Sequence, residues 1–508
     1  MRQKTTTKLE NFFFRFCCGL FVWDKLWYKI IEKTHNNNKL FVGDGGRNLR
    51  YSEIRRYVEC WREYFDGINI RNQVIILMGE FDADWIITFL GICCSGNIVV
   101  PIARVEDYSD VLSNSINESL VLVANEQLGQ IFPQDKIRKK INYKKMNDYF
   151  SEKEHTVSNL LKDTFLSNKV AIWITTSGTT GKKKIVMLTH KNIVADILHI
   201  SSIFQNTFSC NDKLLSFLPV NHMFGITVGI LMPMFYGARI CIVNQFNPIQ
   251  ALRIYDPTVL IAVPTILEKL YPCLVRNEVG TDEVIGRDIR SICPGLKSIV
   301  CGSAPIHQSI IMEYQKLGIE VFEGYGATEC SPVISCNSRE NFKLGSVGRV
   351  NISPYCKVKI AENEIIVFGD IVSCEKNVFL TGDLGYVDSE GYLFITGRKK
   401  DVLVMKDGNK IFPLEIENSI LKYTNKIDNL KLCLGKRNEM SREVLTLLVA
   451  PKEMDIHSLT TYKYFQKIVC EYNDTAQPYK RIRKLLLKDK CDECFSEKDK
   501  FDFRYFQE

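Results

Sequence analysis

An apolar run, Val170-Ala171-Ile172-Trp173-Ile174, leads directly into Thr175-Thr176-Ser177-Gly178-Thr179-Thr180-Gly181-Lys182-Lys183-Lys184. The apolar run reads as a buried strand, so the chain leaves a sheet and enters a loop of hydroxyls, two glycines and three lysines. Gly178 and Gly181 permit backbone angles that a Cβ would block, which lets successive N–H groups curl around an anion. The hydroxyls of Thr176, Ser177, Thr179 and Thr180 add donors, and Lys184 with its two neighbours adds charge. Such a loop suits phosphate. It is not a Walker loop, because Ile185 rather than serine or threonine follows Lys184. The same residues would also serve as a polar surface loop with solvated lysines, and the loop alone does not decide between the two.

The flanking sequence supplies a fold. Val74 to Met78 and Ile98 to Ile102 read as buried strands, with a helix from Asp84 to Gly91 between them. Alternation of this kind predicts an α/β architecture with mostly parallel sheets covered by helices. Asn48 to Arg50 reads as an extended piece running into a helix capped by Ser52. A chain of 508 residues accommodates two domains and a large core. A net charge of +7 is small for this length and is spread without a basic arm, so nucleic acid is not an expected partner. The 18 cysteines fall in apolar contexts, and Cys491 and Cys494 form a lone pair without zinc spacing. Reduced thiols in a cytoplasmic protein are the expectation. The Phe12 to Trp23 patch is too short to span a bilayer and reads as a helix packed on the domain, with a docking helix or peripheral membrane contact left open.

Further along, apolar runs repeatedly end in small or polar residues. Leu214 to Leu218 runs into Asn221-His222-Met223-Phe224-Gly225, followed by a charge-free stretch from Ile226 to Phe235. That stretch reads as a core helix whose small residues could also leave room for an apolar ligand. Val259 to Val263 reads as a strand ending in a turn at Pro264-Thr265, and Leu296 to Cys301 ends in Gly302-Ser303-Ala304. Small residues there would let a flat ring lie on the backbone. Glu320 to Phe322 leads into Glu323-Gly324-Tyr325-Gly326-Ala327-Thr328-Glu329, where Thr328 can donate to phosphate and Glu329 can hold Mg²⁺ through oxygen. Thr381-Gly382-Asp383 precedes a hairpin turning at Asp388 to Gly391, and Asp383 could accept both hydroxyls of a ribose. The charge run Arg398-Lys399-Lys400-Asp401 reads as an exposed linker, and Lys406 to Asn409 as a turn.

Taken in order, these strings resemble the adenylate-forming superfamily: acyl-CoA synthetases, luciferases and the adenylation domains of peptide synthetases. The resemblance runs from about Leu49 to the C-terminus. In texture it is nearest the fatty acyl-CoA and acyl–acyl carrier protein synthetases, carried by Glu323 to Ser335 and Gly345-Ser346-Val347-Gly348-Arg349. Two departures stand out. Lys183 and Ile185 occupy the places of the usual proline and glycine of the loop. Asp499-Lys500-Phe501-Asp502-Phe503 replaces the usual Gly-Lys near the end, with Lys498 as a rival to Lys500.

The resemblance implies an AMP-binding domain over residues 1–397, a hinge at 398–401 and a small mobile α+β domain over 402–508. It implies ATP-dependent conversion of a carboxylic acid, a medium- or long-chain fatty acid, to an acyl-adenylate. The acyl group then passes to the thiol of CoA or of the phosphopantetheine on a carrier protein. Lys500 would be the catalytic cation, with Thr328, Glu329 and His222 beside the reacting groups and Glu329 holding Mg²⁺. Thr176, Ser177, Gly178, Thr179, Thr180, Gly181 and Lys184 would hold the phosphates. Gly302, Ser303, Ala304, Glu323, Gly324 and Tyr325 would surround adenine, Asp383 and Arg398 would serve the ribose, and Lys400 would be the pivot. The other readings are an aryl-acid or acyl-AMP ligase, and a weakly catalytic nucleotide- or acyl-binding protein.

Overall fold

The computed structural model describes residues 40–43, 49–105, 120–131, 137–152, 168–176, 184–243, 247–270, 289–405, 409–424, 426–436, 443–452 and 454–489. The Phe12 to Trp23 patch, residues 177–183 of the glycine–lysine loop, residues 406–408, the Cys491–Cys494 pair, Lys498 and Lys500 lie outside them. The chain forms two compact units. One comprises Met1–Ile306, Ile310–Val358 and Val367–Phe379, and the other His307–Ser309, Lys359–Ile366 and Leu380–Glu508.

The first unit is built on two mostly parallel sheets. The six-stranded one runs, in spatial order, Ile137–Asn142, Leu120–Ala124, Val74–Met78, Ile98–Ile102, Val170–Thr176 and Lys184–Thr189. Its neighbours are parallel except for the last pair. The eight-stranded one runs Val333–Cys336, Glu320–Gly326, Ser298–Cys301, Val259–Ala262, Lys213–Ser216, Arg239–Cys241, Leu40–Gly43 and Leu49–Arg50. Here only the two outermost pairs are antiparallel.

Successive residues of a strand face opposite ways, and both faces of these sheets are buried. Ile75 and Leu77 face one core, while Val74, Ile76 and Met78 face another. Leu214 and Ile261 share the first of these cores, while Leu215 and Leu260 join a third on the opposite side. One core therefore draws on both sheets, together with the helices Tyr51–Gly67, Ala83–Cys94 and His190–Ile203. This is the expected α/β architecture.

Local chemistry explains where the helices begin. Asp82 accepts the N–H of Trp85 at 2.8 Å and opens Ala83–Cys94. Thr189 and Asn192 accept each other's backbone N–H groups and open His190–Ile203. Ser52 is not the cap expected of it, since the helix already starts at Tyr51. The Glu53 carboxylate instead accepts the N–H of Arg50 at 2.8 Å. Pro264 does not end a strand in a plain turn but opens the helix Pro264–Leu270, as a residue lacking an N–H is suited to do. The stretch from Ile226 to Phe235 is helical and interrupted by a π-helical segment, Thr227–Leu231, in which every residue is buried. The space beside Gly229, and beside Gly225 just before the stretch, is taken by the chain itself. A Cβ on Gly225 would lie 2.4 Å from the Pro219 carbonyl oxygen, and one on Gly229 3.0 Å from Ser216 Oγ.

The second unit is α+β. Strands Ile427–Lys436 and Glu443–Pro451 pair antiparallel, and Lys484–Leu487 adds parallel to the latter. Helices Pro413–Leu421 and Leu459–Thr475 bury Ile416, Ile420, Phe465 and Ile468 against Leu432, Leu445 and Leu447. The hairpin Val378–Val387 and Leu393–Arg398 turns where Asp388 Oδ1 accepts the N–H groups of Glu390 and Tyr392. The contact boundary at Leu380 precedes the hinge expected at 398–401, which concerns motion and stays a proposal. The described cysteines, from Cys60 to Cys470, are free thiols. No helix among the described residues is long and apolar enough to cross a membrane.

A tight helix contact offers a test of the first core. A Cβ on Gly91 would lie 2.5 Å from Trp61 Cβ, and Trp61 is itself pinned by its indole N–H to Asn147 at 2.9 Å. Gly91→Ala gains about 1 kcal/mol of helix propensity but overpacks a filled site at about 2–3 kcal/mol. A lowered melting temperature for the first unit is expected. An unchanged or raised one would show that Trp61 can yield.

Candidate active site

The carboxyl ends of parallel strands expose loops there, and such ends are where open α/β sheets bind ligands. Strand Ser298–Cys301 is wholly buried and gives way to exposed Ser303 and Ala304, with Ser303 at φ 73°. Its parallel neighbour Glu320–Gly326 is paired with Cys301 opposite Glu323, so Gly302 to Ala304 and Gly324 to Gly326 emerge side by side. Phe224 reaches the same place, since a Cβ on Gly302 would lie 3.2 Å from Phe224 Cζ. His222 is exposed and stands at the start of the helix Met223–Ile226, where its carbonyl accepts the Ile226 N–H. Tyr325 is half-buried on the strand end.

Beyond Gly326 the chain doubles back. A Cβ on Gly326 would lie 1.9 Å from the Pro332 carbonyl oxygen, so only glycine admits the fold. Ala327 N–H donates to that oxygen at 3.0 Å, and Thr328–Cys330 forms a 3-10 turn. The Glu329 carbonyl and both the hydroxyl and the carbonyl of the following Ser331 are taken by other elements. Ser373 donates both its N–H (2.8 Å) and its hydroxyl (3.2 Å) to the Glu329 carbonyl. Ser331 Oγ donates to Ile371 at 2.7 Å, and Thr227 Oγ1 donates to the Ser331 carbonyl at 3.1 Å. The Thr328 and Glu329 side chains remain partly exposed on this fixed turn.

Strand Lys184–Thr189 lies against the turn. It pairs with Val170–Thr176, with Thr176 opposite Lys184, and the Thr176 hydroxyl points to the Lys184 carbonyl at 3.5 Å. The two ends of the glycine–lysine loop are thus held to each other, on a strand that packs against the turn bearing Glu329. Ser177, Gly178, Thr179, Thr180 and Gly181 fall outside the described residues.

In the second unit, Asp383 and Arg398 face each other across the hairpin, and Arg398 Nε stands 3.2 Å from Asp383 Oδ1. Asp383 N–H donates to Thr381 Oγ1 at 3.0 Å, which in turn donates to Ile365 at 2.8 Å. Lys400 is exposed in the 3-10 turn Lys399–Asp401 rather than in an irregular linker. Lys500 lies outside the described residues.

Sequence reasoning did not find the residues that brace these turns. Asn192 Nδ2 donates to the carbonyls of Asp370 (2.8 Å) and Val372 (3.1 Å), and Lys191 pairs with Asp370 at 2.7 Å. Asp196, fully buried, accepts the Val333 N–H at 3.1 Å, and burial pushes its carboxyl well above the usual carboxylate range. Opening a helix at Thr189 was legible, but partners some 180 positions away leave no local signal.

Glu323 makes a testable case. It is buried, accepts the Ile306 N–H at 3.3 Å, and burial raises its carboxyl from 4.5 to about 7. A raised folded-state value means that the neutral form is preferred in the fold. Its contribution is fully present below pH 4.5 and is lost as pH rises through about 7. Glu323→Gln should therefore melt above the wild type at pH 8 by more than it does at pH 4.5. A difference independent of pH would remove burial as the cause.

Known proteins share this fold. The AMP-binding enzyme family matches residues 30–371. A long-chain-fatty-acid–CoA ligase, FadD15 of Mycobacterium bovis, is 27% identical over 307 residues, covering 50% of each chain. A probable 4-coumarate–CoA ligase 3 of Dictyostelium discoideum is 29% identical over 309 residues, covering 53% of this chain and 52% of that one. The chain therefore spans about half the length of these curated relatives. Among solved structures, the anthranilate CoA ligase AuaEII in complex with anthranoyl-AMP superposes with a TM-score of 0.75 at 16% identity, over 91% of this chain and 93% of that one. The chain belongs to the AMP-binding enzyme family.

Proposed function

We propose that this chain activates a carboxylic acid with ATP, as an acyl-adenylate, and passes the acyl group to a thiol. The observation that carries the reading is the packing of the strand Lys184–Thr189, which follows the glycine–lysine loop, against the Thr328–Cys330 turn. A donor-rich loop for phosphates and a carboxylate on a fixed turn are what attack on an α-phosphate requires. Oxide is a poor leaving group, and adenylation replaces it with AMP. The acid oxygen attacks phosphorus in line, pyrophosphate leaves, and negative charge gathers on the phosphate oxygens.

In this reading Thr176, Lys184 and the loop between them donate to the phosphates, with Thr328 assisting. Gly302, Ser303, Ala304, Gly324 and Tyr325 make a surface for adenine, behind which Glu323 holds the Gly302 loop. Asp383 accepts the ribose hydroxyls, Arg398 orients Asp383, and His222 stands between acid and phosphate. Lys500 brings positive charge to the α-phosphate, and Lys400 is the pivot on which the small domain, 402–508, turns between the two steps.

Magnesium needs only one or two carboxylates besides phosphate oxygens and water. Glu329, partly exposed on a turn that Ser373 fixes, fits that need. The ion, when bound, would neutralise phosphate charge.

The substrate is a medium- or long-chain fatty acid, and the acceptor is CoA or a carrier-protein phosphopantetheine. Two points support the acid: the name of the bacterial relative, and the absence of acidic residues between Met223 and Phe235 that could pair with a substrate ammonium. Since Gly225 and Gly229 are filled by the chain itself, chain length is set elsewhere. The names of the Dictyostelium relative and of AuaEII favour an aryl acid as the second reading.

Acid-dependent AMP formation, measured with straight-chain acids of increasing length and with aromatic acids, tests this directly. CoA and carrier protein are compared as acceptors. AMP formation rising with alkyl length is expected, because each buried methylene is worth about 0.8 kcal/mol. Preference for aromatic acids selects the second reading, and no AMP with any acid rejects the enzyme. Lys500→Ala should slow adenylation by about 10²-fold or more while ATP affinity stays within about threefold. Adenylation at the wild-type rate would move the role to another lysine, Lys498 first.

A further inference from the structure

Glu364 carries polar contacts that no role above accounts for. It sits in the strand Glu364–Phe368 and is only 7% exposed. Its two oxygens go to two different places. Oε1 accepts the backbone N–H of Gly382 at 3.2 Å, and Oε2 accepts Lys399 Nζ at 2.8 Å. Gly382 stands at φ 71°, a left-handed conformation that suits glycine, immediately before Asp383. Lys399 immediately follows Arg398, the residue paired with Asp383 across the hairpin. One buried carboxylate thus grips both residues that flank the Asp383–Arg398 pair.

We propose that Glu364 is a positioning residue for nucleotide, a clamp that aims the Asp383 carboxylate by fixing Gly382 on one strand and Lys399 on the other. This rests on the reading of Asp383 as the ribose-binding group. Every partner belongs to one compact unit, so the clamp is formed within that unit. The geometry also ranks its arms. The Gly382 bond acts on the turn that carries Asp383. The Lys399 ion pair, whose lysine side chain is 62% exposed, is the more screened of the two and acts only through Glu364.

The test uses the full chain with Glu364→Ala, Glu364→Gln, Lys399→Met and the Ala–Met double variant. KM for ATP in acid-dependent ATP–pyrophosphate exchange, AMP affinity by titration calorimetry and the melting temperature are measured for each. Glu364→Ala should raise KM for ATP and weaken AMP by about tenfold, the scale of one charge-assisted hydrogen bond, with a smaller change in kcat. Glu364→Gln should recover most of this, because its carbonyl oxygen still accepts from Gly382, although it too loses the ion pair. The double variant should match Glu364→Ala within about twofold, since Lys399 has no clamp to act through.

A merely structural carboxylate predicts instead that KM follows the melting temperature, with Gln and Ala alike, and that result overturns the proposal. So does wild-type nucleotide affinity in Glu364→Ala, or a double variant more than about twofold weaker than Glu364→Ala. A wild type that exchanges no pyrophosphate but binds AMP with the same Ala–Gln ordering retains the clamp and rejects the adenylating reading. A wild type that binds no AMP rejects both.

Discussion

The close approach of two backbones at Gly326 and Pro332 is the constraint on which the first unit's site depends. With the Pro332 oxygen where a Cβ would stand, the chain reverses within a few residues and leaves Thr328 and Glu329 at the end of a buried strand. A reversal this tight satisfies only some of its own backbone groups, and unsatisfied groups are costly when buried. They are met from outside: Ser373 on the Glu329 carbonyl, Thr227 on the Ser331 carbonyl, Ser331 itself on Ile371. The helix His190–Ile203 completes the brace, through Asn192 on the 370–372 segment and Asp196 on Val333. Three separate stretches of chain therefore fix one turn, the 370–373 segment, Thr227 and the helix His190–Ile203, and the partly exposed side chains of Thr328 and Glu329 inherit that rigidity.

Much of this was legible because the code for it is local. A wholly apolar run such as Val74 to Met78 says that both faces of a sheet are covered, and both are. The Asp388 to Gly391 turn and the strand-ending small residues at Gly302 and Gly324 are likewise written where they act. The misses have physical causes. Ser52 lost the helix start to Glu53, whose longer side chain reaches back to the Arg50 N–H. The glycines of the Ile226 to Phe235 stretch suggested space. Space depends on what the rest of the chain puts there, and it puts Pro219 and Ser216. Asn192 and Glu364 gave no signal, because a side chain's reach across 180 or 18 positions is a property of the fold.

The two groups of candidate residues also differ in how they are held. On the Thr328–Cys330 turn itself the restraints are neutral hydrogen bonds, two of them between buried groups, which salt screens little. Around Asp383 they are charge-assisted: Arg398 on Asp383 and Lys399 on Glu364, each with one exposed partner. Exposed ion pairs are weak and screened, so by themselves they would hold the hairpin loosely. The nearly buried Glu364 carboxylate changes this balance, because a charge withdrawn from water is costly unless its partners stay in place.

Each group is thus complete within its own unit. The turn at Thr328–Cys330 takes its restraints from residues 227, 331, 371 and 373, all in the first unit, and the Asp383 turn from residues 364, 365, 381, 398 and 399, all in the second. Neither group therefore depends on the other unit for its order. The expensive ordering of each half is met during folding rather than at each turnover. The candidate groups of one unit would thus keep their geometry even where the contacts of the other unit change, because no bond that aims them crosses from one unit to the other among the contacts named above.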